Sequence, residues 1–348
     1  MSGLSNAITA KARAMLAEGL TASDYATMLQ KKSVGEIAAY LQNHTLYKDS
    51  LEGINAKAIH RGQLEVLIRT SATNRFAKLI RYADDNAKQV GHNMVMPMEI
   101  DLILMKIRSL SDQENEVIRQ NMISSLPLYI SKYTSFSLKD LADSSSFAEI
   151  LEITKNTLYF DVLKQYRQAS LEEIDYISLE HGLRARYYDA CLDTIDKYAN
   201  NYAKEKMREL VLTNIELENF EIIYRLKKYF SVPKEGIKRM LSNHSCYFSM
   251  KDLYNMIEND TPEQMLTKLK NSRYKQFIKN EKFIYIEHFT HQIIFNMNLH
   301  FMRMYNEPNL ALQAYVILAG TELVNVINVI EGVRYQIPQD RIKSMLIY

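Results

Sequence analysis

The sequence predicts an all-α protein in which one helical unit is used three times. Three observations carry this. The 348 residues include only 10 glycines and 6 prolines, too few for the turns of a many-stranded sheet, while Leu, Ile, Met, Lys, Glu and Ala are plentiful. The stretches 64–83, 206–229 and 283–305 repeat apolar residues at three- and four-residue spacing, as in Leu64, Leu67 and Ile68 or Leu217, Phe220, Ile223 and Tyr224, the pattern of helices with one buried face. Finally, one helix-start signature recurs about a third of the chain apart: LTASDY at 20–25, FSLKDL at 136–141 and FSMKDL at 248–253. Strands are expected to be absent or minor.

Each signature sets a hydroxyl residue (Thr21, Ser137, Ser249) where it can accept from the free N–H groups of a new helix, with an aspartate three positions on. An apolar residue precedes each cap, and another (Tyr25, Leu141, Leu253) sits at the fourth helical position to staple the chain's approach. A second cap follows in every copy, as Ser33-x-x-Glu36, Ser146-x-x-Glu149 and Thr261-x-x-Gln264, the last with Pro262 at the first helical position. Ile37, Ile150 and Met265 then fall at one offset, Tyr47, Tyr159 and Tyr274 at another, and Leu51, Leu163 and Ile278 four residues beyond the tyrosines. Two caps in fixed order, three times over, are not accidental.

A second block lies between these copies. Glu216, Leu217 and Asn219 match Glu322, Leu323 and Asn325, followed by Tyr229 or Tyr335. Pro233, Ile237, Lys238, Met240 and Leu241 then match Pro338, Ile342, Lys343, Met345 and Leu346 after a one-residue deletion. The proline starts a short helix whose Ile, Met and Leu form one apolar face. A faint first copy falls at 99–122. Together the blocks divide the chain into three units of about 116 residues, at 1–126, 127–241 and 242–348. With no Gly/Ser/Pro-rich linker between them, they are expected to pack edge to edge, closing about a pseudo-threefold axis rather than stacking as an open solenoid.

Lys and Arg number 43 against 41 Asp and Glu, a net charge of +2, which argues against nucleic acid as the main partner. Runs such as Lys31-Lys32 and Lys227-Lys228 read as solvated helix ends. Two cysteines, Cys191 and Cys246, fit a reducing compartment, and an N-terminus with Lys11 and Arg13 but no apolar core is no secretory signal; the expectation is cytoplasmic. The most apolar segment, 310–330, carries Glu322 near its middle, where a charge costs several kcal/mol in hydrocarbon. It reads as a buried core helix, and no direct membrane span is expected.

Phosphate loop, dinucleotide fingerprint, nucleophile elbow and Cys-x-x-Cys pair are all missing from the sequence. The best remaining cluster is Glu287, His288, His291 and His300. His288 and His291, three apart, could face one metal, but a structural site needs about four ligands and no second donor set accompanies them. A helical metal-dependent enzyme using His288 and His291 is therefore the alternative, with partly buried histidines the default. Tyr187-Tyr188 and Met297, Met302 and Met304 read as core. Neither a catalytic, cofactor-binding nor metal residue is assigned.

The opening block, Thr21-Ala-Ser-Asp-Tyr-Ala-x-Met-Leu with Lys32-Ser-Val-Gly-Glu-Ile-Ala-Ala-Tyr-Leu41, and the two Glu-Leu-x-Asn…Tyr…Pro…Ile-Lys-x-Met-Leu blocks resemble the central-stalk socket component of V/A-type rotary ATPases. That family has a C-type form in prokaryotic complexes, short like this chain and more similar to it, and a d-type form in eukaryotic ones. The resemblance implies a non-catalytic funnel of three similar helical domains. It would sit on the ring of membrane rotor (proteolipid) subunits and receive the central shaft of D and F type subunits, so that ATP hydrolysis drives H⁺ or Na⁺ transport or the reverse. No cofactor is implied. One departure stands out: Glu331-Gly-Val-Arg334 replaces the basic Arg225-Leu-Lys-Lys228 of the second copy. A general helical-repeat scaffold is the remaining alternative.

Overall fold

The computed structural model describes residues 3–82, 85–110, 134–230, 232–280 and 282–348, and every regular element among them is helical. In chain order these are α1 (Gly3–Ala17), α2 (Ala22–Leu29), α3 (Val34–His44), α4 (Arg61–Ile80), α5 (Asp85–Asn93), α6 (Met96–Ser109), α7 (Leu138–Asp143), α8 (Phe147–Thr154), α9 (Phe160–Leu163) and α10 (Tyr176–Tyr198). They continue with α11 (Asn201–Arg225), α12 (Lys234–Arg239), α13 (Met250–Asn259), α14 (Pro262–Asn271), α15 (Ile286–Met304), α16 (Pro308–Arg334) and α17 (Gln339–Met345). Residues 111–122 of the faint first copy lie outside the described residues.

All six caps form. The hydroxyls of Thr21, Ser137, Ser249, Ser33, Ser146 and Thr261 accept from the N–H three residues on at 3.2 to 3.3 Å. Asp24, Asp252 and Gln264 return the bond to the cap's own N–H, satisfying two orphan donors at once. Glu36 and Glu149 reach one residue further back, to the N–H of Lys32 at 3.0 Å and of Ser145 at 2.7 Å. Capping fixes each helix's rotation and hence its buried face. Tyr25, Leu141, Leu253, Ile37, Ile150, Met265, Tyr47, Tyr159 and Tyr274 are all at most 1 % exposed. The third copy slips by one residue after its tyrosine: Phe277 is buried and Ile278 only half-buried, whereas Leu51 and Leu163 are buried. A short 3-10 turn over Arg273–Phe277 carries these residues, as one over Lys48–Leu51 does in the first copy.

The chain forms two compact units, Thr73–Ala199 and Met1–Ala72 with Asn200–Tyr348. In the first, α10 packs on α5 and α6, and the core joins Ile100, Ile103 and Ile107 of α6 to Leu141, Ile150, Tyr159, Leu163, Leu179 and Leu183. In the second, α16 packs against α1, α15, α2 and α3, and α11 against α15. Its core unites Tyr25, Ile37, Leu41 and Tyr47 with Val326, Val329, Ile330 and Ile342 from the other end of the sequence. Arg13 reinforces this closure: its guanidinium donates to the Met302 carbonyl at 2.9 Å and the Tyr305 carbonyl at 3.0 Å, satisfying acceptors left open where α15 ends.

Helix α16 is long and apolar enough to cross a membrane by length and composition, with a mean hydropathy of 1.6 in its most apolar window, yet 44 % of that window is buried in the fold. The expectation of a buried core helix holds for its two ends, around Leu312 and Val329, but not for its middle. Val316, Ile317 and Gly320 are partly exposed and Val324 is 55 % exposed.

Candidate partner-binding faces and the junctions that position them

Three glutamates, two fully buried and one half-buried, organise the molecule. Glu216 of α11 accepts the Tyr274 hydroxyl at 2.7 Å and the N–H groups of Cys246, Tyr247 and Phe248 at 2.6, 2.9 and 2.9 Å. Glu322 of α16 accepts the Tyr47 hydroxyl at 3.1 Å and the Leu20 N–H at 2.7 Å. Glu99 of α6 accepts the Tyr159 hydroxyl at 2.5 Å, the Ser135 hydroxyl at 3.1 Å and the Ser135 N–H. In every case one carboxylate ties a long helix to the loop before the first cap and to the tyrosine after the second helix. The faint copy at Glu99 thus makes the same junction as the two clear ones. Gly19 allows the approach at Glu322, since a Cβ there would lie 2.6 Å from Glu322 Oε2 and 2.9 Å from the Leu16 carbonyl oxygen.

Burial pushes the Glu216 carboxyl above its ordinary range, against the pull of its four donors. Burial and the adjacent carboxylate hold the Tyr159 and Tyr274 phenols protonated. Such groups are engaged with one another, and the junctions fasten the elements they join.

The asparagine three positions past the glutamate has its own role in two copies. Asn219 donates to the Ser242 carbonyl and accepts the Ser242 N–H, both at 2.9 Å. Asn325 does the same to Ile347, at 2.6 and 3.0 Å. Each pins the segment just after the proline-initiated helix α12 or α17, whose Ile237 and Ile342 are 1 % exposed. In the first copy Leu102 stands where the asparagine would be.

Nine positions past the glutamate, the copies diverge in charge but not in contact. Arg225 pairs with Glu287 in the first turn of α15 at 3.3 Å. Glu331, its counterpart, pairs with Arg61 at the start of α4. Arg108 lies over the ring of Tyr176, first residue of α10, at 5.4 Å. The departure at Glu331 is therefore matched by an opposite departure at Arg61.

Where the long helices end, the chain exposes aromatic rings. Tyr229 and Phe230 are 60 % and 61 % exposed in a π-helical turn after α11, and Tyr335 is 64 % exposed after α16. The turns correspond, the Val232 N–H donating to the Leu226 carbonyl and the Ile337 N–H to the Gly332 carbonyl, one residue fewer in the second case. Apolar residues that match between copies are expected to be core, and these tyrosines are not. Lys227 also departs from its reading as solvated. Its ammonium donates to the carbonyls of Met256, Ile257 and Asp260 at 2.7, 2.7 and 2.5 Å, closing the C-terminus of α13.

The histidine cluster comes apart in the structure. His288 is buried, His291 exposed, and Glu287 is engaged with Arg225, because residues three apart at this point straddle the edge of the buried face. Among the described residues no group of three His, Cys, Asp or Glu is placed to hold a metal. Burial and the neighbouring His291 push the His288 imidazole down. Met297 and Met302 are core as expected, whereas Met304, the last residue of α15, is 67 % exposed. Cys191 and Cys246 are free thiols.

These features define a class: an all-helical protein whose carboxylates fasten its own elements together. The family described as ATP synthase (C/AC39) subunit matches residues 8–345, nearly the whole chain, and the chain belongs to this family of V/A-type ATPase subunits. Its partners are accordingly other subunits of that ATPase. A comparison with curated proteins finds no match.

Proposed function

We propose that this protein is the non-catalytic connecting subunit of a rotary V/A-type ATPase, peripheral to the membrane on its cytoplasmic side. It joins the D and F type shaft subunits to the membrane rotor ring, so that ATP hydrolysis and H⁺ or Na⁺ movement are coupled in one direction or the other. The observation that carries this reading is the family match from residue 8 to residue 345, nearly the whole chain. In this reading the three similar domains, 1–126, 127–241 and 242–348, surround an axis that holds the shaft. A torque-bearing part must resist twisting, and the three glutamate–tyrosine junctions supply that stiffness.

Two exposed features suit partner contact. The apolar face of α16 at Val316, Ile317, Gly320 and Val324 offers a helical shaft a surface of small and branched side chains. The aromatic turns at Tyr229, Phe230 and Tyr335 offer anchors of the kind that dominate interfaces. The test is a pull-down of purified shaft heterodimer and of detergent-solubilised rotor ring. Both are expected to bind the intact chain. Failure of both to bind overturns the proposal. Weakened shaft binding on Val324→Asp, with ring binding retained, would assign the α16 face.

A further inference from the structure

Helices α11 and α16 present the same junction chemistry, a tyrosine-bound glutamate and an asparagine three positions on, with contacts of the same kind. The blocks that dock on them are equally alike, each bringing two capped helices and a buried tyrosine. Nothing in those shared contacts stops block 20–61 from docking on α11, or block 248–287 on α16. The hazard is concrete, because α11 precedes α16 in the chain and so meets the first block earlier.

We propose that the opposed ion pairs are a pairing code that rejects these exchanges. In the native fold Arg61 meets Glu331, and Glu287 meets Arg225. Were the blocks exchanged, Arg61 would face Arg225 and Glu287 would face Glu331, both like-charged. The third helix with a junction glutamate, α6, carries Arg108 at the equivalent position, so Arg61 would be repelled there as well. Of the three helices that carry a junction glutamate only α16, through Glu331, accepts Arg61. The side chains of the two pairs are 25 % to 51 % exposed, so each pair adds little to native stability. Its effect lies in the difference between right and wrong partners, which sums two attractions gained and two repulsions avoided.

The test exchanges the charges of one native pair in the full-length chain, Arg61→Glu with Glu331→Arg. The native attraction is kept, while position 61 becomes acceptable to Arg225 and Arg108. Because Arg61 also pairs with Glu65 at 3.0 Å, parent and variants all carry Glu65→Gln, and in that background the equilibrium unfolding midpoint should stay that of the parent chain. The fraction recovered as native monomer after rapid dilution from denaturant should fall, by roughly threefold to tenfold. Adding Arg225→Glu and Glu287→Arg restores the opposition between the two copies and should raise recovery towards the parent level, Arg108 being the one wrong partner that position 61 still accepts. Recovery at the parent level in the exchanged pair overturns the proposal. So does a loss of equilibrium stability that the fourfold exchange leaves in place, since that marks the pairs as ordinary bridges.

Discussion

The Tyr274 hydroxyl donates to Glu216 at 2.7 Å across 58 positions of sequence, both residues being fully buried. Tyr274→Phe removes one of four donors and leaves the carboxylate in a poorer site, costing about 1–3 kcal/mol. Glu216→Ala strands three N–H groups and a phenol and should cost more, about 3–5 kcal/mol. Urea denaturation of the two variants measures both, and equal, negligible losses would show that the junction does not hold the fold.

Asn325 holds the Ile347 main chain through two hydrogen bonds. Asn325→Ala should release the last residues, while the capped helices of residues 22–44 keep their own bonds. Hydrogen exchange is expected to accelerate at Ile347 and through α17, and Asn219→Ala should do the same around Ser242. The cost is about 1–3 kcal/mol for each. Unchanged protection at Ile347 would contradict the pinning role.

Glu221 gives a pH signature. Burial pushes its carboxyl from an ordinary value of 4.5 up to about 8, against the Thr290 hydrogen bond, with Glu218 and Glu287 raising it further and Arg225 opposing them. A neutral carboxyl can donate to Thr290 Oγ1 while that hydroxyl donates to the Ile286 carbonyl at 3.1 Å. Because the folded state holds this proton more tightly than the unfolded chain, the group's contribution is fully present below about pH 4.5 and is lost as pH rises through about 8. Glu221→Gln should therefore be more stable relative to the parent at pH 8 than at pH 5. Thermal unfolding at the two pH values checks the sign, and a gap that shrinks with rising pH would refute it.

Gly19→Ala places a methyl group against Glu322 and the Leu16 carbonyl. The close approach that lets Glu322 reach Leu20 would be lost, at a cost of about 1–3 kcal/mol. Differential scanning calorimetry would record the fall in midpoint, and a variant matching the parent would show that the loop yields without strain.

Much of the local architecture was legible in the sequence. Caps, staples and the tyrosine at the end of each block are short-range patterns, and Thr21, Ser137 and Ser249 all act as read. The junctions were less legible, because Glu216 and Tyr274 are each recognisable but nothing in their spacing says that they touch. Glu99 shows why the first copy read as faint: it keeps the glutamate, whereas Leu102 replaces the asparagine that completes the pattern. Tyr229 and Tyr335 show the other direction, since their match between copies does not say that the turn points them outward. The reversed charge at Glu331 looked like a flaw in the repeat, and only Arg61, 270 positions away by residue number, explains it.

The docking of block 20–61 on α16 also orders events during synthesis. Leu20 and Glu322 are 302 positions apart, a distance the ribosome covers in roughly 15–60 s at typical rates. For that interval Tyr25, Ile37 and Leu41 have left the ribosome while the helix that buries them has yet to be made. A block made well before its partner helix is therefore among the last to finish folding, and it spends the wait as a client for whatever shields nascent apolar surface in the cell.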